Sequence, residues 1–464
     1  MNIIVWYRND LRVHDHPALS MAAQNGDHVI PVFILNTALL AGDHASSNRN
    51  RFLLESLANL KSNLRTIGAD LVIRDGEPSQ ELASLAADVK AVAVYYTADY
   101  TPYALGRDKA IKDALTTKNI EFRSFGGRLA VDGLDKIRTK AGTVHKVFTP
   151  FWRAWGEIVR RPLAELPQKL AMPESVSVGK LPDFEAITKP DMLSPDVVKG
   201  GETAARARLM DWLESGIDGY HQGNNDMAAD STSHLSPYFH FGCLSVREIE
   251  TMLPDSEGAR AWHRQLAWRD FYNYVLFYSP HPEQEFQEKY RSLKWGQDYE
   301  MLKKWQDGQT GFPVVDAAMR QMRLTGWMHN RARLIVGSFL TKDLWLDWRL
   351  GEKYFMQMLL DGDMANNNGN WQWIASVGVD PAPVYRRLYN PATQAKNYDP
   401  TGAYIRRYVP ELKNVPDKYL AEPHLMPIEI QKQSGCIIGV NYPAPIVDHK
   451  AARVAALERY HAIA

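Results

Sequence analysis

Val29-Ile-Pro-Val-Phe-Ile-Leu35 is an unbroken apolar run of the kind that forms a buried strand, and it decides how the first part of the chain folds. Four further β-branched or aromatic runs cover residues 3–6, 69–74, 91–96 and 120–125. Between these runs the apolar period becomes helical, over residues 17–24, 79–89 and 103–118 and on the face of Leu53, Leu57, Leu60 and Leu64. The alternation predicts an α/β domain with a parallel, Rossmann-like, doubly wound sheet.

Six prolines between residues 161 and 195 mark a stretch without periodicity, which is typical of an irregular connection over a surface. Beyond residue 203 the β-branched runs disappear, and long amphipathic stretches follow with helix starts at Ser245 and Pro313. We therefore divide the chain into an α/β domain over residues 1–130, an interdomain linker over residues 131–202 and a larger all-α domain over residues 203–464.

The composition is that of a soluble globular protein, with 45% hydrophobic and 23% charged residues among 464. The 54 Lys and Arg residues balance the 54 Asp and Glu residues, so a nucleic-acid partner needs a local basic patch. The two cysteines, Cys243 and Cys436, exclude a disulfide framework and a cysteine-built metal cluster. The first residues contain no export or membrane signal. We expect a cytoplasmic monomer that does not associate with membranes.

A basic and aromatic stretch lies between residues 317 and 342, where five Lys or Arg residues occur without an acidic residue and Trp327 and His329 lie among them. This pattern is typical of a nucleic-acid surface and equally of a solvated helix face. A helix that begins near His329 places Asn330, Arg333 and Leu334 on one face, which we interpret as the wall of a site.

Two polar runs are candidates for ligand binding. Asp361-Gly-Asp-Met-Ala-Asn-Asn-Asn-Gly-Asn-Trp-Gln-Trp373 combines two carboxylates and four asparagines with two tryptophans, and it is typical of a ligand site or of an Asx-rich loop that caps a helix. Ser231-Thr-Ser-His-Leu-Ser236 offers four hydroxyls that can surround a pyrophosphate, although such runs are more often simple loops. Neither run has the spacing of a metal site.

Five motifs occur in an order that identifies a known family. They cover residues 5–19, 233–245, 265–272, 326–333 and 361–373. With these motifs in register, the whole chain resembles the DNA photolyases of the photolyase/cryptochrome family, and it is most similar to those that act on cyclobutane pyrimidine dimers. The resemblance implies an N-terminal α/β antenna domain and a helical domain that encloses FAD.

The resemblance also implies roles for individual residues toward FAD. The residues that match the cofactor site are Tyr220, Thr232, Ser233, His234, Leu235, Ser236, Trp262, Arg269, Arg333, Asp361 and Asp363. Arg333 paired with Asp361 fixes charge beside the isoalloxazine, and Asn367 matches the residue near flavin N5. The family's electron-relay tryptophans correspond to Trp371, Trp348 and Trp295. Without the resemblance, three aromatic residues in a helical core indicate packing alone.

For ultraviolet-damaged DNA as the partner, the matching residues are Gln265, Trp268, Tyr272, Asn330, Arg331, Leu334, Trp373 and Arg386. Trp268 and Trp373 match the aromatics that hold a flipped dimer, and Arg331 and Arg386 match residues that face phosphates. We place Gln265 and Asn330 at the reacting lesion. Photolyases are among the enzymes that flip bases out of the helix.

The implied activity is that of a carbon–carbon lyase, which splits a flipped dimer by electron transfer from photoexcited reduced FAD. Two alternatives stay open: a cryptochrome-type blue-light signalling flavoprotein without repair, and a photolyase for the six-four photoproduct. Asn330 favours dimer repair over the six-four activity, whereas Gln265 stands where many dimer enzymes have glutamate. Leu334 replaces a common methionine and Asn224 a phosphate-side arginine, so we expect weaker lesion and DNA contacts.

A second chromophore is expected in the antenna domain. Ala104 and Pro282 stand where the folate-type site of the family has an acid and a lysine. The resemblance therefore favours a deazaflavin over a folate, and an empty or different antenna site stays open as the alternative.

Overall fold

The N-terminal part of the computed structural model, which describes residues 1–42, 45–188 and 192–463, contains a five-stranded parallel sheet. Its strand order is β3-β2-β1-β4-β5. The strands are β1 (Asn2–Tyr7), β2 (His28–Leu35), β3 (Val72–Asp75), β4 (Ala91–Thr97) and β5 (Glu121–Phe125). Each strand overlaps one of the predicted runs, and the α/β prediction is confirmed.

Helices cover both faces of this sheet. They are α1 (Pro17–Asn25), α2 (Thr37–Ala41), α3 (Ser47–Thr66), α4 (Pro78–Asp88) and α5 (Pro102–Thr116). Because successive strand residues point to opposite faces, Ile3 and Val5 join the core that contains Leu57, whereas Ile4 and Trp6 pack into a separate core on the other face. The first of these cores continues into the helical part of the molecule.

Residues 131–202 contain the α-helices α6 (Phe148–Glu157) and α7 (Phe184–Ile187). The Phe151 ring of α6 lies 5.1 Å from that of Phe271, and the Trp155 indole donates a 2.9 Å hydrogen bond to Asp270. This part of the chain is therefore packed against the helical domain. The division at residues 130 and 202 stays a prediction.

The remainder of the chain is helical, as the sequence predicts. Its helices are α8 (Glu202–Asp211), α9 (Tyr220–Gly223), α10 (Ser236–His240), α11 (Val246–Glu250), α12 (Glu257–Tyr278), α13 (Tyr299–Gln306), α14 (Pro313–Thr325), α15 (Asn330–Ser338), α16 (Trp348–Met358), α17 (Met364–Ile374), α18 (Pro391–Tyr398), α19 (Ala403–Tyr408), α20 (Asp417–Leu420), α21 (Ile428–Ser434) and α22 (His449–His461). The predicted starts are observed: Ser245 caps α11 by accepting from the Glu248 N–H at 3.1 Å, and Pro313 is the first residue of α14. Among the described residues, no helix is both long and apolar enough to cross a membrane.

Candidate functional site

The run 361–373 provides one wall of the site, because residues 364–373 belong to α17 and residues 361–363 lead into its N-terminus. Asp363 is the N-cap of α17, and its carboxylate accepts from the Asn366 N–H at 2.9 Å. On this helix Asn367 and Trp371 are four residues apart and therefore share a face. Gly369 lets α17 approach α12 closely, since a Cβ there would lie 2.1 Å from the Tyr272 ring.

A cavity of 490 Å³ opens between α10, α12, α15, α16 and α17. This volume is within the range of ligand pockets. All eleven residues predicted to hold the cofactor line it: Tyr220, Thr232, Ser233, His234, Leu235, Ser236, Trp262, Arg269, Arg333, Asp361 and Asp363. Further lining residues are Asn367 and Trp371 from α17. The structure therefore brings together residues that lie up to 151 positions apart in the chain.

Two ion pairs fix charge in the wall of the cavity. Arg333 Nη2 lies 2.8 Å from Asp361 Oδ2, and Arg128 Nη2 lies 3.2 Å from Asp363 Oδ2. Burial alone raises the pKa of Asp363, but the attraction of Arg128 and other nearby cations outweighs it and lowers the pKa to about 2. The pKa of Asp361 is also lowered, because Arg333 outweighs the effect of burial. Both carboxylates are anions at neutral pH.

The segment before α10 places the side chains of Thr232 and Ser233 in the cavity lining. Ser233 Oγ accepts from the Trp262 indole at 3.3 Å, and the Ser233 carbonyl accepts from Arg208 Nε at 3.0 Å. His234 adopts φ = 54°, which is rare for a residue with a side chain and reverses the chain before α10.

Three lining residues carry buried polar atoms without a hydrogen-bond partner among the described residues: Thr232 Oγ1, His240 Nδ1 and Trp371 Nε1. An unmet buried polar atom costs about 1–3 kcal/mol. Burial lowers the pKa of His240 to about 4, so its ring is neutral at pH 7. Polar groups of a bound ligand can satisfy these atoms, and the lining therefore fits a ligand such as FAD that carries many donors and acceptors.

Asn367 is held in place by Glu352, which the sequence did not mark as a site residue. Its Nδ2 donates to the Glu352 carbonyl at 2.9 Å and to Glu352 Oε1 at 3.2 Å. The amide nitrogen is thereby used, and the amide oxygen remains to accept from a ligand. Burial raises the pKa of Glu352 to about 7. No motif marks Glu352, and only its position on α16 opposite α17 reveals its role.

The three predicted relay tryptophans occupy different depths. Trp371 lines the cavity, Trp348 is fully buried, and Trp295 is partly buried. The Trp371 ring lies against α16, since a Cβ on Gly351, one turn after Trp348, would come within 2.2 Å of it. Trp348 and Trp295 donate to the same oxygen, Glu285 Oε1, at 3.3 Å each. The chain of aromatic residues thus leads away from the cavity.

Six of the eight predicted DNA residues also line the cavity: Gln265, Trp268, Tyr272, Asn330, Leu334 and Trp373. Trp268 is stacked on Phe148 of α6 with 3.6 Å between ring centroids, and Trp373 lies under the Arg387 guanidinium at 4.2 Å. Gln265 and Asn330 are exposed, so polar groups are accessible beside two supported aromatic rings.

Arg331 and Arg386 lie outside the cavity lining. Arg331 donates to Asn225 Oδ1 and its guanidinium lies 4.2 Å from the Tyr398 ring centroid, whereas Arg386 is exposed on a short turn after residue 383. Both positions suit contacts with an extended polyanion more than with a small ligand.

Two family models match the chain. Residues 3–170 match the model described as DNA photolyase, and residues 262–462 match the FAD binding domain of DNA photolyase. A deoxyribodipyrimidine photo-lyase of Alkalihalophilus pseudofirmus is 40% identical, with 98% of this chain and 96% of that protein covered.

Solved structures give the same fold over nearly the whole chain. A bacterial class III photolyase from Agrobacterium tumefaciens superposes with a TM-score of 0.92 at 35% identity, covering 100% of this chain and 97% of that one. A cryptochrome from Synechocystis sp. PCC6803 superposes with a TM-score of 0.92 at 31% identity, covering 98% of both chains.

Proposed function

Because the chain belongs to the DNA photolyase family, we propose that it repairs cyclobutane pyrimidine dimers in ultraviolet-damaged DNA, using light and FAD. One observation carries this proposal. A single cavity combines a charged and hydroxyl-rich wall, which suits a dinucleotide, with Trp268, Trp373 and Asn330, which suit a base.

The cofactor proposal rests on the eleven lining residues named above. Arg333 and Asp361 hold fixed charge where the ring system binds, and the hydroxyls of Thr232, Ser233 and Ser236 face the diphosphate. Asn367 offers a neutral amide oxygen to flavin N5, since its nitrogen is bound to Glu352. When bound and reduced, FAD supplies an electron to the dimer on absorbing light and regains it after cleavage. The repair therefore involves no net oxidation or reduction.

We assign Trp371, Trp348 and Trp295 to the reduction of the cofactor by light. Trp371 lies in the cavity wall, Trp348 is buried and Trp295 is partly exposed. This order supports the stepwise movement of an electron from Trp295 through Trp348 to Trp371. This relay restores the reduced cofactor and takes no part in cleavage itself.

Lesion binding is assigned to the aromatic pair at the cavity. Extrusion of a base costs a few kcal/mol, and stacking on an aromatic ring returns about 1–3 kcal/mol per base. Phe148 packs on one face of Trp268, and Arg387 packs on one face of Trp373. Because both indoles are already held in place, they lose little side-chain entropy when a base stacks on them. Tyr272 and Leu334 complete the apolar surface, Gln265 and Asn330 bind the base edges, and Arg331 and Arg386 contact phosphates.

A deazaflavin is our proposal for the antenna chromophore, since Ala104 is a buried apolar residue on α5 and offers no acid to a folate. An absorption spectrum of the natively purified protein tests this. A deazaflavin band should accompany that of the flavin, and a folate band instead would reject the assignment.

A cryptochrome-type signalling function is the second candidate, because a cryptochrome shares the fold at a TM-score of 0.92. A signalling protein of this kind binds FAD and undergoes photoreduction but does not repair DNA. The residues of the lesion side favour repair.

The decisive experiment uses the FAD-loaded, reduced protein with an oligonucleotide that contains one dimer. We expect conversion to the intact oligonucleotide under blue or near-ultraviolet light and none in darkness. No conversion under light, together with normal photoreduction, would favour the signalling function. Equal conversion in darkness would reject the proposal. An oligonucleotide with a six-four lesion serves as the control and should stay unchanged.

A further inference from the structure

Glu285 joins two tryptophans that are 53 residues apart in the chain. Its Oε1 accepts from the indole N–H of Trp348 and from that of Trp295, at 3.3 Å each. Its Oε2 lies 2.8 Å from Arg349 Nη2, and its side chain is only 6% exposed. An acidic group between two aromatic residues is thus built into the interior.

This group is an anion at neutral pH. Burial alone raises the pKa of Glu285, but the hydrogen bond and charge of Arg349 outweigh it, and the pKa is lowered. An indole nitrogen is a donor only, so both contacts run from neutral donors to a charged acceptor. A positive charge on either ring is therefore stabilised by the carboxylate.

The surrounding cations distinguish the two rings. The Arg349 guanidinium lies 4.6 Å from the Trp348 ring centroid, and a cation over a ring face disfavours further positive charge on that ring. Over Trp295, the described residues place no Lys or Arg. Trp345, which stacks on Trp295 at 4.9 Å, has Arg459 over its own ring at 4.7 Å. Positive charge is accordingly favoured on Trp295 over both neighbours.

We propose that Glu285 is the electrostatic anchor of the tryptophan relay: it holds positive charge on Trp295, while Arg349 drives that charge outward from Trp348. This inference rests on the proposed relay function. One electron leaves Trp371 for the photoexcited oxidised cofactor, one from Trp348 refills Trp371, and one from Trp295 refills Trp348. A soluble thiolate then gives one electron to Trp295 and leaves as a thiyl radical. Glu285 neither gains nor loses an electron.

The test is Glu285→Gln in the FAD-loaded, full-length protein. The amide has the shape of the acid and keeps an acceptor oxygen, but it lacks the charge. After a laser flash without added reductant, the absorption of the oxidised tryptophan should decay about five- to tenfold faster than in the wild type, because the neutral hydrogen bond is weaker than the charge-assisted one. With thiol present, the yield of reduced cofactor should fall correspondingly.

Glu283→Gln is the matched control. Glu283 is 62% exposed and its carboxylate pairs with His281, so its removal should leave the decay unchanged. Equal lifetimes in E285Q and E283Q would overturn the inference. If E285Q does not retain FAD, Glu285→Asp keeps the charge but withdraws it by one methylene. A lifetime of the oxidised tryptophan shorter than that of the wild type is then expected, because the charge lies farther from the two indoles, and a lifetime equal to that of E283Q would again overturn the inference.

Trp348→Phe separates this inference from the relay itself. If W348F abolishes photoreduction while E285Q behaves as the wild type, the relay stands and the role of Glu285 is rejected. If W348F photoreduces normally, the proposed relay is wrong and the role of Glu285 is rejected with it.

Discussion

At the scale of single residues, Glu352, which holds Asn367 of the cavity lining, should make the stability of the folded protein depend on pH. Its pKa of about 7 lies above the ordinary value of a glutamate, so the folded protein holds this proton more tightly than the unfolded chain does. The free energy of unfolding should therefore fall as the pH rises from about 4.5 through 7. The cause is burial, and Asn367, which donates to the charged form, reduces the effect only in part.

The substitution Glu352→Gln removes this ionisable carboxyl group and with it the pH dependence that the group causes. At pH 8.5 the unfolding free energy of E352Q should exceed that of the wild type by about 1–2 kcal/mol, and at pH 4.5 the two should be equal. Urea unfolding of both proteins, without FAD, at a series of pH values measures the difference. Parallel pH profiles would show that Glu352 is ionised throughout.

One substitution can separate the proposed electron-donor role of Trp371 from a role in packing. Trp371→Phe should slow photoreduction, because the first electron donor is lost, yet it should leave repair intact when the cofactor is reduced chemically beforehand. Phenylalanine keeps an aromatic ring against Phe355 and α16, so a large loss of stability is not expected. Loss of both activities would mean that the indole serves to pack the cavity wall.

Several important residues were not predictable from the sequence, for a physical reason. Glu285 contacts Trp348 across 63 residues, and Glu352 lies 15 residues from Asn367 on another helix. Neither carboxylate belongs to a local pattern, and only the packing of helices gives them partners. By contrast, the residues of the run 361–373 were predictable because a dense polar stretch beside tryptophans is locally unusual.

At the scale of elements, α17 depends on a glycine for its position. Gly369→Ala should be destabilising, although alanine is the better helix former by about 1 kcal/mol, because a Cβ would lie 2.1 Å from Tyr272 of α12. The displaced helix should also bind FAD less tightly, since Asn367 and Trp371 move with it. We expect a net loss of about 1–3 kcal/mol in unfolding free energy.

The control is Gly106→Ala in α5, where an added Cβ meets nothing within 4 Å. G106A should stabilise the protein by about 0.5–1 kcal/mol and leave FAD binding unchanged. Chemical denaturation and the flavin absorbance of the purified variants test both expectations. A gain of stability in G369A would mean that Tyr272 moves aside at no cost.

The boundaries of some elements differ from those that the sequence predicts. The strand predicted over residues 69–74 begins only at Val72, because the Ala69 N–H donates to the Leu64 carbonyl at 3.1 Å and Gly68 has a φ of 91°. Residues 67–71 thus form the exit from α3 and not a strand. Their apolar character reflects burial under the turn, which the periodicity of a short run does not distinguish from a strand.

At the scale of the whole molecule, the balanced charge requires that DNA is bound by a local surface. Arg331→Gln and Arg386→Gln should each reduce the slope of log affinity against log salt concentration by about 1, with and without a lesion. Arg65→Gln is the control, because Arg65 is exposed on α3 in the N-terminal part and pairs with Asp70. Fluorescence anisotropy at several salt concentrations provides the slopes, and unchanged slopes would exclude both arginines from phosphate contact.

The Arg128–Asp363 pair crosses the molecule, since its partners are 235 residues apart. Asp363 caps the helix that carries Asn367, Trp371 and Trp373, and Arg128 follows the last strand of the sheet. Excision of the first 130 residues would remove that guanidinium and leave the buried Asp363 carboxylate without its ion-pair partner, with Arg269 as the remaining nearby guanidinium. The sheet-containing part and the helical part are therefore not independent modules, and a truncated helical fragment should bind flavin more weakly than the full-length chain.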